Sequence, residues 1–324
     1  MEIVSDSGET TDKHQHKLNL AARAAWLYYV ASNTQDEIAL KLHVSRQSAQ
    51  RLVSFAASEG LIKFRLDHPL ASCAALAEQL RERYKLSYCD VAPHGGSPQV
   101  LFKELGICAA EYLEGFLGAK VPTVCAFGTG RTMRAMVSQV TPMHQSQHKI
   151  VSVVGNMAHD GRASHFEVVM QLADRINAQA FLLPTPVLTS TVQEKINLQK
   201  LKAFRSVQEL AMQAKAVFVG TSEIESHCPM YKDGFIDDAE LADLLRHKAV
   251  GEIIGWTFDK NGRLIQGSTN ERVASIPLSQ LAKSQIVVIA GGPNKVKPIL
   301  GALRGQLITG LVTDEITAKE ILKA

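Results

Sequence analysis

Thr34-Gln35-Asp36-Glu37-Ile38-Ala39-Leu40-Lys41-Leu42-His43-Val44-Ser45-Arg46-Gln47-Ser48-Ala49-Gln50-Arg51-Leu52-Val53 carries the local signals that decide the N-terminal fold. Thr34 and Glu37 have the spacing of a capping box, in which the hydroxyl accepts from the third helical amide and the carboxylate reaches back to the cap amide. A helix therefore starts here, with Ile38, Ala39 and Leu42 on one buried face. His43-Val44 makes a short connection, and Ser45 is a good N-cap for a further helix running toward Ser58 with Leu52, Val53 and Phe55 inside. Two short helices about a tight turn, with small Ala39 near the crossing and apolar Val44 in the turn, predict a helix-turn-helix.

Working outward, residues 18–31 place Leu18, Ala21, Ala25, Tyr28 and Tyr29 at helical spacing, with Trp26 and Leu27 widening the apolar face. That first helix ends near Ser32-Asn33, and residues 1–16 read as a disordered tail. The helix opened by Ser45 offers Arg46 and Gln47 in its first turn and Gln50 and Arg51 one turn later. Arginine and glutamine form bidentate pairs with guanine and adenine edges, so Ser45, Arg46, Gln47, Gln50 and Arg51 are the candidate contacts to double-stranded DNA. Lys41, Arg46, Arg51, Lys63 and Arg65 face a single acidic neighbour, Glu59, in this region. A solvated helix face is the bland alternative, but cap, turn and helix lengths agree on the helix-turn-helix. Residues 61–66 have extended character and suit a wing strand closed by Asp67-His68-Pro69, which gives a winged domain over residues 1–68. Residues 70–84 carry Leu76, Ala77, Leu80 and Tyr84 as a helical stripe, a linker that either pairs with a second subunit or packs on its own domain.

The chain has 324 residues, 46% hydrophobic and 21% charged, which suits two unequal globular domains and excludes the disordered and fibrous classes. Its first dozen residues are acidic and polar where a signal peptide is basic and then apolar, and apolar runs such as 286–290 are too short for a bilayer, so a cytoplasmic location is expected. Five cysteines without a CxxC pair argue against a zinc knuckle and a disulfide framework and read as core thiols. No cofactor and no metal is expected, and the net charge of +3 decides little.

Residues 69–324 alternate β-rich runs with helical patterns, with strand candidates at 88–92, 123–127, 150–154, 180–183, 216–219 and 285–290. That rhythm predicts an α/β, Rossmann-like domain with a mostly parallel sheet whose ligands sit beyond the carboxyl ends of the strands. Gly128-Thr129-Gly130-Arg131-Thr132 follows one strand and opens a helix, where free amides and the helix dipole favour a phosphate or carboxylate. The loop satisfies neither the dinucleotide fingerprint nor the P-loop pattern, and a purely structural glycine turn also explains it. Asn156 follows another strand and can bond sugar hydroxyls or simply make a turn. Lys295 lies past Gly291-Gly292 after a third strand and suits a phosphate or hydroxyl; Asp314 and Glu315 either meet it or cap the last helix.

Ordered along the chain, Ala25-Trp26-Leu27-Tyr28-Tyr29, Thr34 to Ala39 with Val44-Ser45-Arg46, Gly128 to Thr132, Ala249-Val250-Gly251-Glu252-Ile253, Ala290 to Lys295 and Leu311 to Glu315 resemble the SorC family of sugar-responsive bacterial regulators. The resemblance covers nearly the whole chain from Arg23. It implies a winged helix-turn-helix joined to a sugar-binding domain with the fold of phosphosugar isomerases and deaminases, assembled into dimers or tetramers on operator DNA. It further implies that Gly130, Arg131 and Thr132 lie at a phosphate, with Asn156, Glu252 and Lys295 near the rest of a sugar, polyol or sugar phosphate effector. Thr129 stands where the commoner form of the family has tryptophan, so an unphosphorylated polyol stays open beside a phosphorylated sugar.

The rival reading is a phosphosugar isomerase or deaminase with an accessory N-terminal domain. It would need a carboxylate or histidine at the sugar carbon; Glu252, Asp314 and Glu315 qualify by type only, His159 and His165 have no metal-ligand constellation, and no catalytic residue is assigned.

Overall fold

Local capping and small buried residues build the N-terminal unit. The computed structural model describes residues 7–62, 69–93, 96–155 and 167–324. The chain divides into two compact units, Met1–Asp67 and His68–Ala324. In the first, α1 (Ser7–Tyr29), α2 (Gln35–Leu42) and α3 (Arg46–Ser58) pack around Ala24, Ile38, Ala49 and Val53. The capping box forms as its residue types require, with Glu37 N donating to Thr34 Oγ1 at 3.3 Å and Thr34 N donating to Glu37 Oε2 at 2.7 Å. Ser48 N donates to Ser45 Oγ at 3.1 Å to start α3, and His43 takes the left-handed conformation, φ 53°, that ends α2. Leu52 and Val53 face inward as expected, and half-buried Phe55 joins Ala21, Ala25 and Ala56 in a satellite cluster.

Two expectations for this unit need correction. The tail expected over 1–16 is helical from Ser7, because α1 is anchored early: the Lys17 ammonium sits 4.1 Å from the Phe55 ring centroid and His14 meets that ring edge-on. Of the expected stripe of α1, Ala21 and Ala25 are buried together with Ala24, small residues that let its backbone approach α3, whereas Tyr28, Tyr29 and Trp26 are exposed, Trp26 by 58%. The expected wing falls largely on residues 63–68, outside the described residues.

The second unit contains, in chain order, α4 (Pro69–Tyr84), β1 (Tyr88–Ala92), α5 (Pro98–Leu117), β2 (Val124–Phe127), α6 (Arg131–Gln139), β3 (Lys149–Ser152), α7 (Val169–Ile176), β4 (Gln179–Phe181), α8 (Val192–Gln199), α9 (Lys202–Ala211), β5 (Ala216–Val219), β6 (Ser222–Glu223), α10 (Pro229–Lys232), α11 (Asp238–Arg246), β7 (Ala249–Ile253), β8 (Trp256–Asp259), β9 (Gln285–Ile289), α12 (Val296–Arg304), β10 (Gly310–Asp314) and α13 (Glu315–Lys323). Seven strands form one sheet in the order β1-β10-β9-β5-β2-β3-β4, every neighbouring pair parallel.

Strand periodicity sorts the core onto the two faces. Along β5, Ala216 and Phe218 point into the cluster made with α5, α6 and α7, while Val217 and Val219 join the cluster made with α4, α9, α12 and α13. Helices thus cover both faces, as parallel sheets require. The expected strands are present with ends displaced by a residue or two; β10 and the antiparallel sheet β6-β7-β8 were not anticipated. The linker helix α4 packs within its own unit against β1 and α13, burying Cys73, Leu76 and Leu80, as one of the two readings of its stripe expected. Three of the five cysteines are buried, and burial pushes the thiols of Cys89, Cys108 and Cys125 up to about 12, so they stay protonated as core groups.

Candidate functional site

The strand order reverses direction at β2. From β2 the chain runs outward through β3 and β4, whereas β5, β9 and β10 lie on its other side. Parallel sheets leave a crevice beyond the strand ends at such a switch point. A cavity of about 450 Å³ lies there, lined by the loops that follow β2, β5 and β9.

The loop after β2 is built by two glycines with different duties. Gly128 is packed so closely that a Cβ would sit 3.1 Å from Ile254 Cγ2 and 3.3 Å from Val219 Cγ1. Gly130 takes φ +132°, open to glycine alone, and stands at the N-cap of α6 with free space where a Cβ would be. Among the described residues no side chain caps α6, and Thr129, Gly130, Arg131 and Thr132 all line the cavity. A helix start with its amides uncapped, beside an arginine, is a suitable seat for an anion.

Opposite it, the β7–β8 hairpin delivers Glu252. Its two-residue turn has Ile254 at φ +47° and Gly255 at φ +88°, a pattern of type I′, and a β-branched residue at positive φ is a strained choice. Glu252 braces that turn. Its Oε2 accepts from Gly255 N at 2.8 Å, its Oε1 accepts from Ser222 Oγ at 2.6 Å, and its carbonyl accepts from Thr221 Oγ1 at 2.7 Å. Burial pushes the Glu252 carboxyl above its ordinary value, opposed by the bonds from Ser222 and Gly255 and by the Lys295 charge. Burial likewise pushes the Lys295 ammonium down, while Glu252 and Glu223 hold it up and Arg131 adds to the depression. Cation and carboxylate thus face the same space, each partly desolvated.

The structure brings together Thr129, Gly130, Arg131, Thr132, Glu252 and Lys295 around one cavity, with Gly128 in the packing behind it. Asn156, His159 and His165 lie outside the described residues. Asp314 caps α13 through Ile316 N and Thr317 N, the capping alternative of the sequence reading, and Glu315 pairs with Lys319. Sequence reading missed Thr221 and Ser222, although Gly220-Thr221-Ser222 follows the anticipated strand β5 and the strand-end rule applied there too. It also missed Pro229, Met230, Lys232, Asp233 and Phe235, which line the cavity and have no local signature.

Glu223, Glu225 and His227 bring their ligand atoms within 4.8 Å of one another. Positive charge is already supplied there, since Lys297 Nζ is 3.5 Å from Glu225 and Lys295 acts on Glu223. In the first unit, Ser45, Arg46, Gln47, Gln50 and Arg51 are all exposed along one end of α3, and Arg46 Nε lies 3.5 Å from Asp36 Oδ1. Among the described residues no helix is long and apolar enough to cross a membrane.

Comparison with known proteins agrees with this architecture. The chain is 28% identical to the erythritol catabolism regulatory protein EryD of Brucella abortus, over 94% of this chain and 96% of that one. It is 26% identical to the deoxyribonucleoside regulator of Bacillus subtilis, over 95% of this chain and 98% of that one. The full-length sorbitol operon regulator SorC of Klebsiella pneumoniae superposes with a TM-score of 0.71 at 24% identity, covering 95% of this chain and 99% of that one, which speaks for a shared fold. A family model described as "Putative sugar-binding domain" matches residues 68–323, so nearly the whole of the second unit, and the chain belongs to that family, the sugar-binding transcriptional regulators of SorC type.

Proposed function

We propose that the cavity binds a sugar, polyol or sugar phosphate and that its occupancy sets the affinity of the N-terminal helix-turn-helix for operator DNA. The observation that carries this reading is the pairing, on one chain, of an exposed basic end of α3 with a crevice at a sheet switch point that Arg131, Glu252 and Lys295 line. In this reading the start of α6, Arg131 and Lys295 take an anionic or electron-rich end of the ligand, and Glu252 with Ser222 and Thr132 takes hydroxyls. Asn156 is the further hydroxyl partner expected from sequence. Ser45, Arg46, Gln47, Gln50 and Arg51 read bases and phosphates, and a homodimer or higher oligomer presents two such helices to two half-sites. Ligand control then needs only unequal affinity of the ligand for the two subunit arrangements.

A sensor is favoured over an isomerase or deaminase because both oxygens of Glu252 are already committed to Ser222 and to the turn amide of Gly255. A carboxylate that braces a hairpin is poorly placed to shuttle a proton. Two measurements test the proposal. Arg46→Ala with Arg51→Ala should abolish shift of a duplex from the region upstream of the gene; unchanged binding refutes the placement of α3. Thermal shift with erythritol, sorbitol, ribose 5-phosphate and 2-deoxyribose 5-phosphate should give saturable binding, and product formation in the same mixtures would establish the enzyme instead.

A further inference from the structure

Beyond the cavity, one buried carboxylate has more bonds than capping a helix demands. Asp314, 1% exposed, accepts from Ile316 N at 3.0 Å and Thr317 N at 3.1 Å through Oδ1, which completes the cap of α13. Its Oδ2 faces the other way. It accepts from Gly292 N at 2.8 Å and from the Thr317 hydroxyl at 2.5 Å, and Gly292 N is shared with Thr317 Oγ1 at 2.8 Å. Gly292 belongs to the loop after β9 that turns through Pro293–Lys295 and places Lys295 in the cavity. The fit is close enough that a Cβ on Gly291 would run into Asp314 Oδ2.

The far end of α13 is bonded to α4. Arg83 Nη1 donates to Leu322 O at 2.5 Å and Tyr84 OH donates to Ile321 O at 3.4 Å, while Leu76 and Leu80 share a core with Ala318 and Ile321. Helix α4 is the first element of the second unit, beginning at Pro69, and the first unit ends at Asp67.

We propose that Asp314 and Thr317 are positioning residues that tie the Lys295 loop to the α13–α4 pair, and that this tie carries the state of the cavity toward the DNA-binding unit. The proposal rests on the cavity being the effector site. The physical reason is that the tie resists being half broken. If Lys295 is drawn onto a ligand and Gly292 follows, the Gly292 amide leaves both of its acceptors and Asp314 loses one of its four donors, and giving up hydrogen bonds in a buried network is costly. Moving the start of α13 with the loop avoids that cost, and a helix transmits such a displacement as a rigid body to what it packs against. Only α4 continues from that packing into the chain that leads to the first unit.

The test uses the full chain, a labelled duplex from its upstream region, and ribose 5-phosphate, 2-deoxyribose 5-phosphate and erythritol as probes. Wild type should bind at least one probe by thermal shift and change its operator affinity with that probe. Failure at this first stage overturns the effector-site reading in the wild type itself, before any variant is compared, and the tie falls with it. Thr317→Val removes the bridging hydroxyl, and Arg83→Ala weakens the attachment of α13 to α4 by removing the bond to Leu322 O without touching the buried network. Both should keep the probe-induced thermal shift and the probe-free operator affinity within about twofold, yet lose the probe response by about fivefold or more, the low end of ordinary allosteric coupling. Thr317→Ser, which keeps the hydroxyl, should restore it. A wild-type response in Arg83→Ala or Thr317→Val, or a Thr317→Ser variant as deaf as the valine, overturns the proposal; if the valine variant does not fold, Arg83→Ala decides alone.

Discussion

Glu252→Gln separates the two ligand classes that the cavity admits. Glutamine has nearly the shape of glutamate, so its carbonyl can accept from Gly255 N while its amide donates to Ser222 Oγ, whose hydroxyl is free to rotate. The hairpin bracing therefore survives, and the change is one of charge. For a neutral polyol, hydroxyls lose a charged acceptor, and hydrogen bonds to charged groups are worth about 1.5–3 kcal/mol, so affinity should fall roughly 10-fold to 100-fold. For a sugar phosphate the sign is opposite at the anionic end. The carboxylate no longer competes for Lys295 and no longer repels the phosphate; at an effective dielectric of about 20, unit charges some 5–6 Å apart interact by about 3 kcal/mol, an upper bound that screening reduces. Calorimetric titration of erythritol against ribose 5-phosphate in wild type and variant reads the contrast directly. Equal weakening of both ligands, or no change in either, would refute the placement of Glu252 among the ligand hydroxyls.

Further outcomes follow from single features of the two units. The Glu252 carboxyl is held above its ordinary value, so its contribution to stability is fully present below the unfolded carboxylate pKa and is lost as pH rises through the raised folded value. Glu252→Gln, neutral throughout, should therefore gain on wild type in urea midpoint as pH increases across that window, and a difference that does not vary between pH 4 and 8 would contradict it. Ser45→Ala removes the hydroxyl that accepts from Ser48 N and should cost about 1 kcal/mol, seen as roughly fivefold faster hydrogen exchange of the α3 amides, with slower or unchanged exchange counting against the cap. Gly291→Ala forces a methyl group onto Asp314 Oδ2 and Leu105 and should destabilise the second unit by about 1–3 kcal/mol while weakening any ligand response that depends on Lys295; thermal unfolding equal to wild type would show that the loop is looser than the packing indicates.

The helix-turn-helix was legible because its signals are local: a capping box from Thr34 to Glu37, a serine cap and a buried stripe on each short helix all lie within 20 residues and need no distant partner. The parallel sheet was legible for a similar reason, since strands buried on both faces read as continuous apolar runs such as Ala216–Val219. Periodicity failed where size mattered more than polarity. In α1 the aromatic residues define an apolar face on paper, but the close approach of α3 admits alanine, so Ala21, Ala24 and Ala25 turn inward and Trp26 outward.

The cavity was half legible, and the missing half has a common cause. Loops after β2 and β9 announce themselves because a strand ends in glycines at a helix start, a rule that refers only to neighbours in sequence. Glu252 obeys no such rule, and the family resemblance alone pointed to it. It reaches the site because β6, two residues long, pairs antiparallel with β7 so that Ser222 stands directly across from Glu252, and because Ile254 accepts a positive φ to let the hairpin close. The first of those facts involves residues 30 apart in the chain, and neither a two-residue strand nor an isoleucine in a type I′ turn resembles its usual sequence signature. Strain of this kind persists only where the surroundings over-determine it. Here the surroundings are groups at the cavity itself: Glu252 grips the turn amide, Ile254 packs against Gly128, and Gly128 opens the loop that leads into α6. The least predictable turn in the second unit is therefore the one that joins the Glu252 wall of the cavity to the wall formed by the start of α6.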